Sequence, residues 1–330
     1  MKYIVGDAIE ELKKLPSESV NAIITSPPYY ALRDYGATGQ IGQEKTPDEF
    51  IHKLTEVFSE ARRVLRSDGV LWLNLGDSYG GRGKGFSKGK RIAVDERCKQ
   101  STSKGTIGGS LFKTGGKPKE LLGIPWCVAL ALSADGWYLR QDIIWHKPNP
   151  MPESVKDRCT KAHEYIFLLS KSPKYYFDAE AIAEPVQQSS MKRYAQNIEK
   201  QLGSSRVPGK NNGNMKAVMP RYGVKKYTEN PSVFFRTKSN QLYIPGPMRN
   251  KRDVWTVATK GFKGAHFATF PEELIEPCVL SSVPEGGVAL DPFAGSGTVG
   301  AVCKRLGRDC IMIDINAEYE RIARERIGLL

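Results

Sequence analysis

Two short apolar runs, each feeding a rigid or glycine-rich turn, constrain this chain more than any other feature. Ala22-Ile23-Ile24 leads into Thr25-Ser26-Pro27-Pro28-Tyr29-Tyr30, and Val288 to Leu290 leads into Asp291-Pro292-Phe293-Ala294-Gly295-Ser296-Gly297-Thr298. A brief apolar run bounded by turn residues reads as a buried strand, and α/β sheets bind ligands beyond the carboxyl ends of their strands. Both turns therefore stand where an α/β protein carries its chemistry.

The rest of the pattern agrees with that class. Tyr3-Ile4-Val5, the amphipathic Ala8 to Leu15 and Ala22-Ile23-Ile24 read as strand, helix, strand. Phe50, Leu54, Val57, Phe58, Ala61 and Leu65 recur at helical spacing behind the capping-box start Thr46-Pro47-Asp48-Glu49, with a stop near Ser67-Asp68-Gly69 and a buried strand from Val70 to Leu75. Further helices are expected over Pro125 to Ala134, Pro271 to Val283, Thr298 to Leu306 and from Ala317 onward. Strands are expected over Tyr138 to Trp145, Glu164 to Leu169, Val288 to Leu290 and Cys310 to Ile315.

Two segments break the alternation. Gly80 to Gly116 is rich in glycine, lysine and serine with little apolar periodicity, which predicts a mobile basic loop over 80–119. From 183 to 263 basic residues, asparagines, prolines and glycines are interleaved with Tyr194, Tyr222, Tyr227, Phe234, Phe235, Tyr243 and Trp255. A formal net charge of +13 attracts a polyanion, and aromatics among basic residues suit nucleic acid, although a charge run is also an ordinary solvated face. The cysteines at 98, 127, 159, 278, 303 and 310 form no CxxC pair and no disulfide framework, so a reducing, cytoplasmic setting is expected. Cys159 and His163 lack further well-spaced ligands, so no metal site is expected. No apolar run approaches the roughly 20 residues that span a bilayer.

Gly295 to Gly300 also fits the GxGxxG pattern, with Asp314 at the end of the next strand, where an acid would bind ribose hydroxyls. Taken alone this leaves a nicotinamide-dependent oxidoreductase open, as the charge alone leaves open a DNA-binding protein without catalysis. The two turns together resemble the SPPY and DPFxGSGT motifs of S-adenosylmethionine-dependent DNA amino-methyltransferases. Their order, catalytic turn before cofactor loop, resembles the β-group of that family, and the likeness covers nearly all 330 residues.

That resemblance implies a Rossmann-like class I methyltransferase domain: a seven-stranded, mostly parallel sheet with a reversed final strand and an inserted target-recognition region. Residues 1–182 would form the catalytic part, 183–263 the recognition region and 264–330 the cofactor-binding part. Ser26, Pro27, Pro28 and Tyr29 become the catalytic turn. Its chemistry is readable: an exocyclic base amine is a poor nucleophile, and two acceptors, Ser26 Oγ and the Pro27 carbonyl, would aim its lone pair at a methyl group. Tyr29 offers a ring on which a flipped base can stack. The cofactor, S-adenosyl-L-methionine, would be held by Asp7, Ala8, His266, Phe267, Thr269, Phe270, Asp291, Pro292, Phe293, Ala294, Gly295, Ser296, Gly297, Thr298 and Asp314. Asp7 can equally be a helix N-cap, and Asp314 departs from the glutamate more frequent in the β-group. Asp142-Ile143-Ile144-Trp145-His146-Lys147-Pro148-Asn149-Pro150-Met151-Pro152 resembles another family stretch, so Trp145, His146 and Asn149 are expected at the target-base pocket, as is Tyr30 beside the catalytic turn. Arg193, Lys225, Lys226, Arg249, Lys251 and Arg252 are expected on double-stranded DNA. Serine rather than aspartate before Pro-Pro-Tyr favours cytosine N4 over adenine N6, while Pro277-Cys278-Val279 lacks the context of a cytosine-C5 nucleophile. A cognate restriction endonuclease and a homodimer are left open.

Overall fold

The computed structural model describes residues 1–328 except 33–36, 38, 82–116, 187–234, 237–241, 244–247 and 261–268. Residues 82–116 of the basic loop and most of the recognition region, including Arg193, Lys225 and Lys226, lie outside the described residues, as do His266 and Phe267. In chain order the strands are β1 (Lys2–Val5), β2 (Val20–Thr25), β3 (Leu65–Leu75), β4 (Tyr138–His146), β5 (His163–Ser170), β6 (Glu184–Pro185), β7 (Phe235–Arg236), β8 (Leu242–Tyr243), β9 (Met248–Arg249), β10 (Val254–Thr256), β11 (Val288–Asp291) and β12 (Asp309–Asp314). The helices are α1 (Ala8–Lys13), α2 (Pro47–Val64), α3 (Ile124–Ala134), α4 (Glu272–Ser282), α5 (Thr298–Arg305) and α6 (Ala317–Ile327).

The chain divides into two compact units, Met1–Phe177 with Asp253–Leu330, and Asp178–Arg252. The first contains a sheet in the order β1-β12-β11-β2-β3-β5-β4-β10. Seven of these strands are the expected ones, and the short β10 adds an eighth, parallel to β4. The reversed strand is β5, antiparallel to both β3 and β4, so it lies inside the sheet and is not the final strand.

Alternation along the strands builds two apolar layers. In β3, Val70 and Trp72 join one core with α4, α5 and α6, while Leu71 and Leu73 join the other with α1, α2 and α3. In β2 the parity slips: Val20 and Ile23 share one layer, Ala22 and Ile24 the other, because the pairing with β3 shifts register between Val20 and Ala22. The same irregularity lets Leu65 pair with Val20, so α2 ends at Val64 and β3 begins five residues before the expected Val70. Each large side chain buried this way stabilises the fold by roughly 1.5–3 kcal/mol. Thr46 caps α2 as expected, its Oγ1 accepting from Glu49 N at 3.2 Å, but Glu49 reaches back to Lys45 N at 3.0 Å, one residue before the cap.

In the second unit β6 pairs with β9 and β7 with β8, both antiparallel. Arg249 and Arg252, expected on DNA, both donate to the Glu184 carboxylate, at 3.3 and 3.0 Å, with Lys251 between them. This carboxylate offsets part of their charge.

Candidate functional site

Sheet order assembles the site. Since β1, β12, β11, β2 and β3 are parallel, their carboxyl ends share one edge. Asp7 follows β1, Asp314 closes β12, Asp291 closes β11 and Ser26 follows β2, in that spatial order. β2 and β11 are direct neighbours, with Ala22 beside Ala289 and Ile23 beside Leu290. Across that seam Thr25 Oγ1 donates to Asp291 Oδ1 at 2.6 Å, joining the strand end before Ser26 to the start of the glycine loop although 266 positions separate them in the chain.

A cleft of about 850 Å³, including space open to solvent, lies at this edge. Ser26 and Pro28 line it together with Asp7, Ala8, Thr269, Phe270, Pro292, Phe293, Ala294, Gly295, Thr298 and Asp314. Gly39, Gln40 and Ile41 also line it, and Gly42 N donates to Glu44 Oε2 at 2.8 Å just beyond them; no sequence pattern pointed to this segment.

The glycine loop is held from behind. Asp314 accepts from Gly295 N at 2.8 Å and Asn316 N at 2.9 Å, and Tyr3 donates its hydroxyl to the Gly295 carbonyl at 2.9 Å. Burial raises the Asp314 carboxyl above its ordinary value. Ser296 and Thr298 accept from Arg326 at 3.2 and 2.8 Å, and Arg326 also binds Glu272 at 2.7 Å, so α6 secures the loop to α4. Ser296 is nearly fully buried and serves as part of this brace. Asp291 sits beneath the loop, where burial pushes its carboxyl up to about 7 despite bonds from Thr25 and Phe293 N that favour the charged form.

Asp7 is an N-cap, its Oδ1 accepting from Ile9 N at 3.0 Å and Glu10 N at 3.1 Å, and it also lines the cleft. Both readings of this residue thus have a geometric basis. A carboxylate at a strand end, close glycine backbone and the Phe293 ring form a set that suits a nucleoside with hydroxyl donors and a flat base.

Beyond β2 the expected base-pocket residues divide. Tyr29 donates its hydroxyl to Glu164 Oε2 at 2.7 Å, and Asn74 Oδ1 lies 3.2 Å from the same phenol oxygen. Tyr30 is instead buried against Phe50, with ring centroids 5.5 Å apart, because α2 covers it. Trp145 points into the core and donates Nε1 to the Val257 carbonyl at 2.8 Å. His146 Nδ1 lies 3.1 Å from Thr256 Oγ1. Asn149 exchanges two bonds with the Thr259 backbone, at 2.9 and 3.1 Å. These bonds tie the end of β4 and the turn after it to β10 and the residues that follow it, and the burial of Trp145 in the core corrects its expected place at a target base.

A DNA methylase family model, of the N6/N4 type, matches residues 20–325. The chain belongs to this family. It is 44% identical over 324 residues to the Type II methyltransferase M.Cfr9I of Citrobacter freundii, covering 98% of this chain and 86% of that protein. It is 41% identical over 328 residues to the Type II methyltransferase M.SmaI of Serratia marcescens, covering 99% and 90%. In fold it is similar to the PvuII DNA methyltransferase (cytosine-N4-specific), with a TM-score of 0.59, 16% identity and coverage of 98% of this chain and 85% of that one. The M1.HpyAVI–SAM complex is similar with a TM-score of 0.52 and 18% identity, covering 99% and 98%. As a member of this DNA methylase family the protein is a DNA amino-methyltransferase with S-adenosyl-L-methionine as cofactor. Among the described residues no helix is long and apolar enough to cross a membrane.

Proposed function

We propose that this methyltransferase acts on N4 of a cytosine flipped out of a specific duplex sequence, by direct in-line transfer. What carries the reading is the placement of Ser26 on the wall of the cleft that Asp314, Gly295 and Phe293 also line. The bound cofactor supplies an electrophilic sulfonium methyl group. Asp314 and the glycine loop hold its nucleoside portion, while Phe270 and Thr269 wall the cleft nearby. Ser26 Oγ accepts one hydrogen of the target amine and the Pro27 carbonyl the other, which orients the nitrogen lone pair and stabilises positive charge as it develops. The Tyr29 ring stacks on the displaced base and offsets part of the few kcal/mol that unstacking costs. No covalent intermediate is required.

Serine ahead of Pro-Pro-Tyr supports cytosine N4. Adenine N6 is the competing reading, since the 24% identical relative YhdJ of Escherichia coli is named a DNA adenine methyltransferase. Plasmid DNA treated with the purified protein and cofactor is digested for nucleoside mass spectrometry, and long-read sequencing maps the modified site. N4-methylcytosine is expected; N6-methyladenine as the product would overturn the choice of base. Ser26→Ala is expected to cut transfer by roughly a hundredfold while leaving cofactor affinity near the parent's. Full turnover in that variant would remove the amine contact from the mechanism.

A further inference from the structure

The cleft side of the sheet edge does not stop at Ser26. Beyond β2 lie β3, β5 and β4, and because β5 is reversed its first residues reach the same edge as the carboxyl ends of β3 and β4. Asn74 near the end of β3, Glu164 at the start of β5 and Lys147 just past β4 are thereby set side by side, in order, next to Tyr29. We propose that Glu164 is a positioning residue of the methyl transfer: clamped by Lys147 and Asn74, its carboxylate fixes the phenol of Tyr29 and with it the plane of the stacking ring. The inference rests on the stacking role proposed for Tyr29.

Both carboxylate oxygens are engaged. Oε1 pairs with Lys147 Nζ; Oε2 accepts from Tyr29 at 2.7 Å and from Asn74 Nδ2 at 3.4 Å. Asn74 is buried and pinned in turn, its Nδ2 donating to the Tyr165 carbonyl at 3.1 Å. The Lys147 ammonium lies 4.3 Å from the centroid of the Trp145 ring, so the tryptophan that faces the core forms the seat of this ion pair. Glu164 and Lys147 are both mostly shielded, with 15% and 17% of their side chains exposed, so the pair is less screened than a surface one. An ionised acceptor makes the phenol bond stronger than a neutral one. The ring is also bounded by the backbone: a Cβ on Gly76 would stand 2.4 Å from Tyr29 Cε2. Hydrogen bonding at the hydroxyl and contact at the ring edge together leave the ring little freedom before a base arrives, and a pre-placed platform spares the ordering cost at that moment.

The test uses the whole chain, with saturating cofactor and the duplex mapped above. Tyr29→Phe and Glu164→Ala are each expected to lower kcat roughly tenfold, as loss of one charge-assisted hydrogen bond implies, with calorimetric cofactor affinity unchanged. The Tyr29→Phe/Glu164→Ala double variant should be no slower than the slower single, because both changes remove the same contact. Glu164→Gln, which keeps an acceptor oxygen, should recover part of the rate. A double variant slowed by the product of the two single effects overturns the assignment, and so does parental kcat in Tyr29→Phe, a variant that keeps the ring and decides the matter should Glu164→Ala fail to fold. Tyr29→Ala separates the two levels: full turnover there sinks the stacking role and this inference with it. A slow Tyr29→Ala protein beside a Glu164→Ala protein of parental rate sinks the role of Glu164 alone.

Discussion

Asp291 opens the glycine loop and carries a proton where an ordinary aspartate would not. Burial is the main cause of its rise from 3.8 to about 7, and the charge of Asp314 adds to it. Between those values the unfolded chain has released this proton and the folded chain still holds it. Raising pH through that window therefore erodes the stability of the cofactor-free protein, by at most ~1.4 kcal/mol per pH unit, and the loss levels off above about 7. Both Thr25 Oγ1 and Phe293 N address Oδ1, an oxygen that asparagine also presents. Asp291→Asn is accordingly expected to fold and to flatten the decline of the urea midpoint between about pH 5 and pH 8. A midpoint that still falls as steeply as the parent's would place the proton elsewhere. At this scale Ser26 and Asp314 could be located from sequence because each follows a plain apolar strand. Glu164 could not, because one acid at the start of a strand looks like a solvated end until its neighbours in the sheet are known. Tyr30 and Trp145 misled for the converse reason: what buries them, Phe50 and the Val257 carbonyl, lies 20 and 112 positions away.

Helix α5 shows how tightly the elements behind the loop are fitted. Its N-cap, Gly297, has a φ of +74°, and a Cβ there would stand 2.9 Å from Ala323 Cβ and 3.1 Å from Ile327 Cδ1, both on α6. The left-handed backbone and the close helix approach each exclude a side chain. Gly297→Ala should lower stability by about 2 kcal/mol, read as an earlier thermal midpoint, and weaken cofactor binding through the displaced loop. An unchanged midpoint would mean that α5 and α6 can part at little cost. Caps and apolar periodicity placed the helix starts nearly to the residue, since those signals are local, whereas α2 ends at Val64, short of the expected stop near Ser67-Asp68-Gly69. The early start of β3 was hidden because it depends on the register irregularity in β2, some 45 residues earlier in the chain and visible only once the strands are paired.

Over the whole molecule, the net charge of +13 sets the approach to a polyanion. Each cation in phosphate contact adds ~0.9 to the slope of log affinity against log salt concentration. Changing Arg193, Lys225 and Lys226 to glutamine should therefore weaken duplex binding and reduce that slope, with cofactor affinity unaltered. Identical slopes for variant and parent would remove these residues from the phosphate interface. The class of fold was legible at this scale because strands and helices alternate. The path of the sheet was not: periodicity says where a strand is and nothing of its neighbour, so the order β11-β2 at its centre is knowledge that only the folded chain supplies.

That central seam has a consequence for biosynthesis. The strand that β2 must lie beside, β11, is translated more than 260 residues after it, so a nascent chain carries β2 without that neighbour over the whole interval. Pairing across so long a separation is slow and exposes strand edges meanwhile. It also means that the turn after β2 meets the glycine loop only after that interval, so a chain interrupted within it lacks one wall of the cleft.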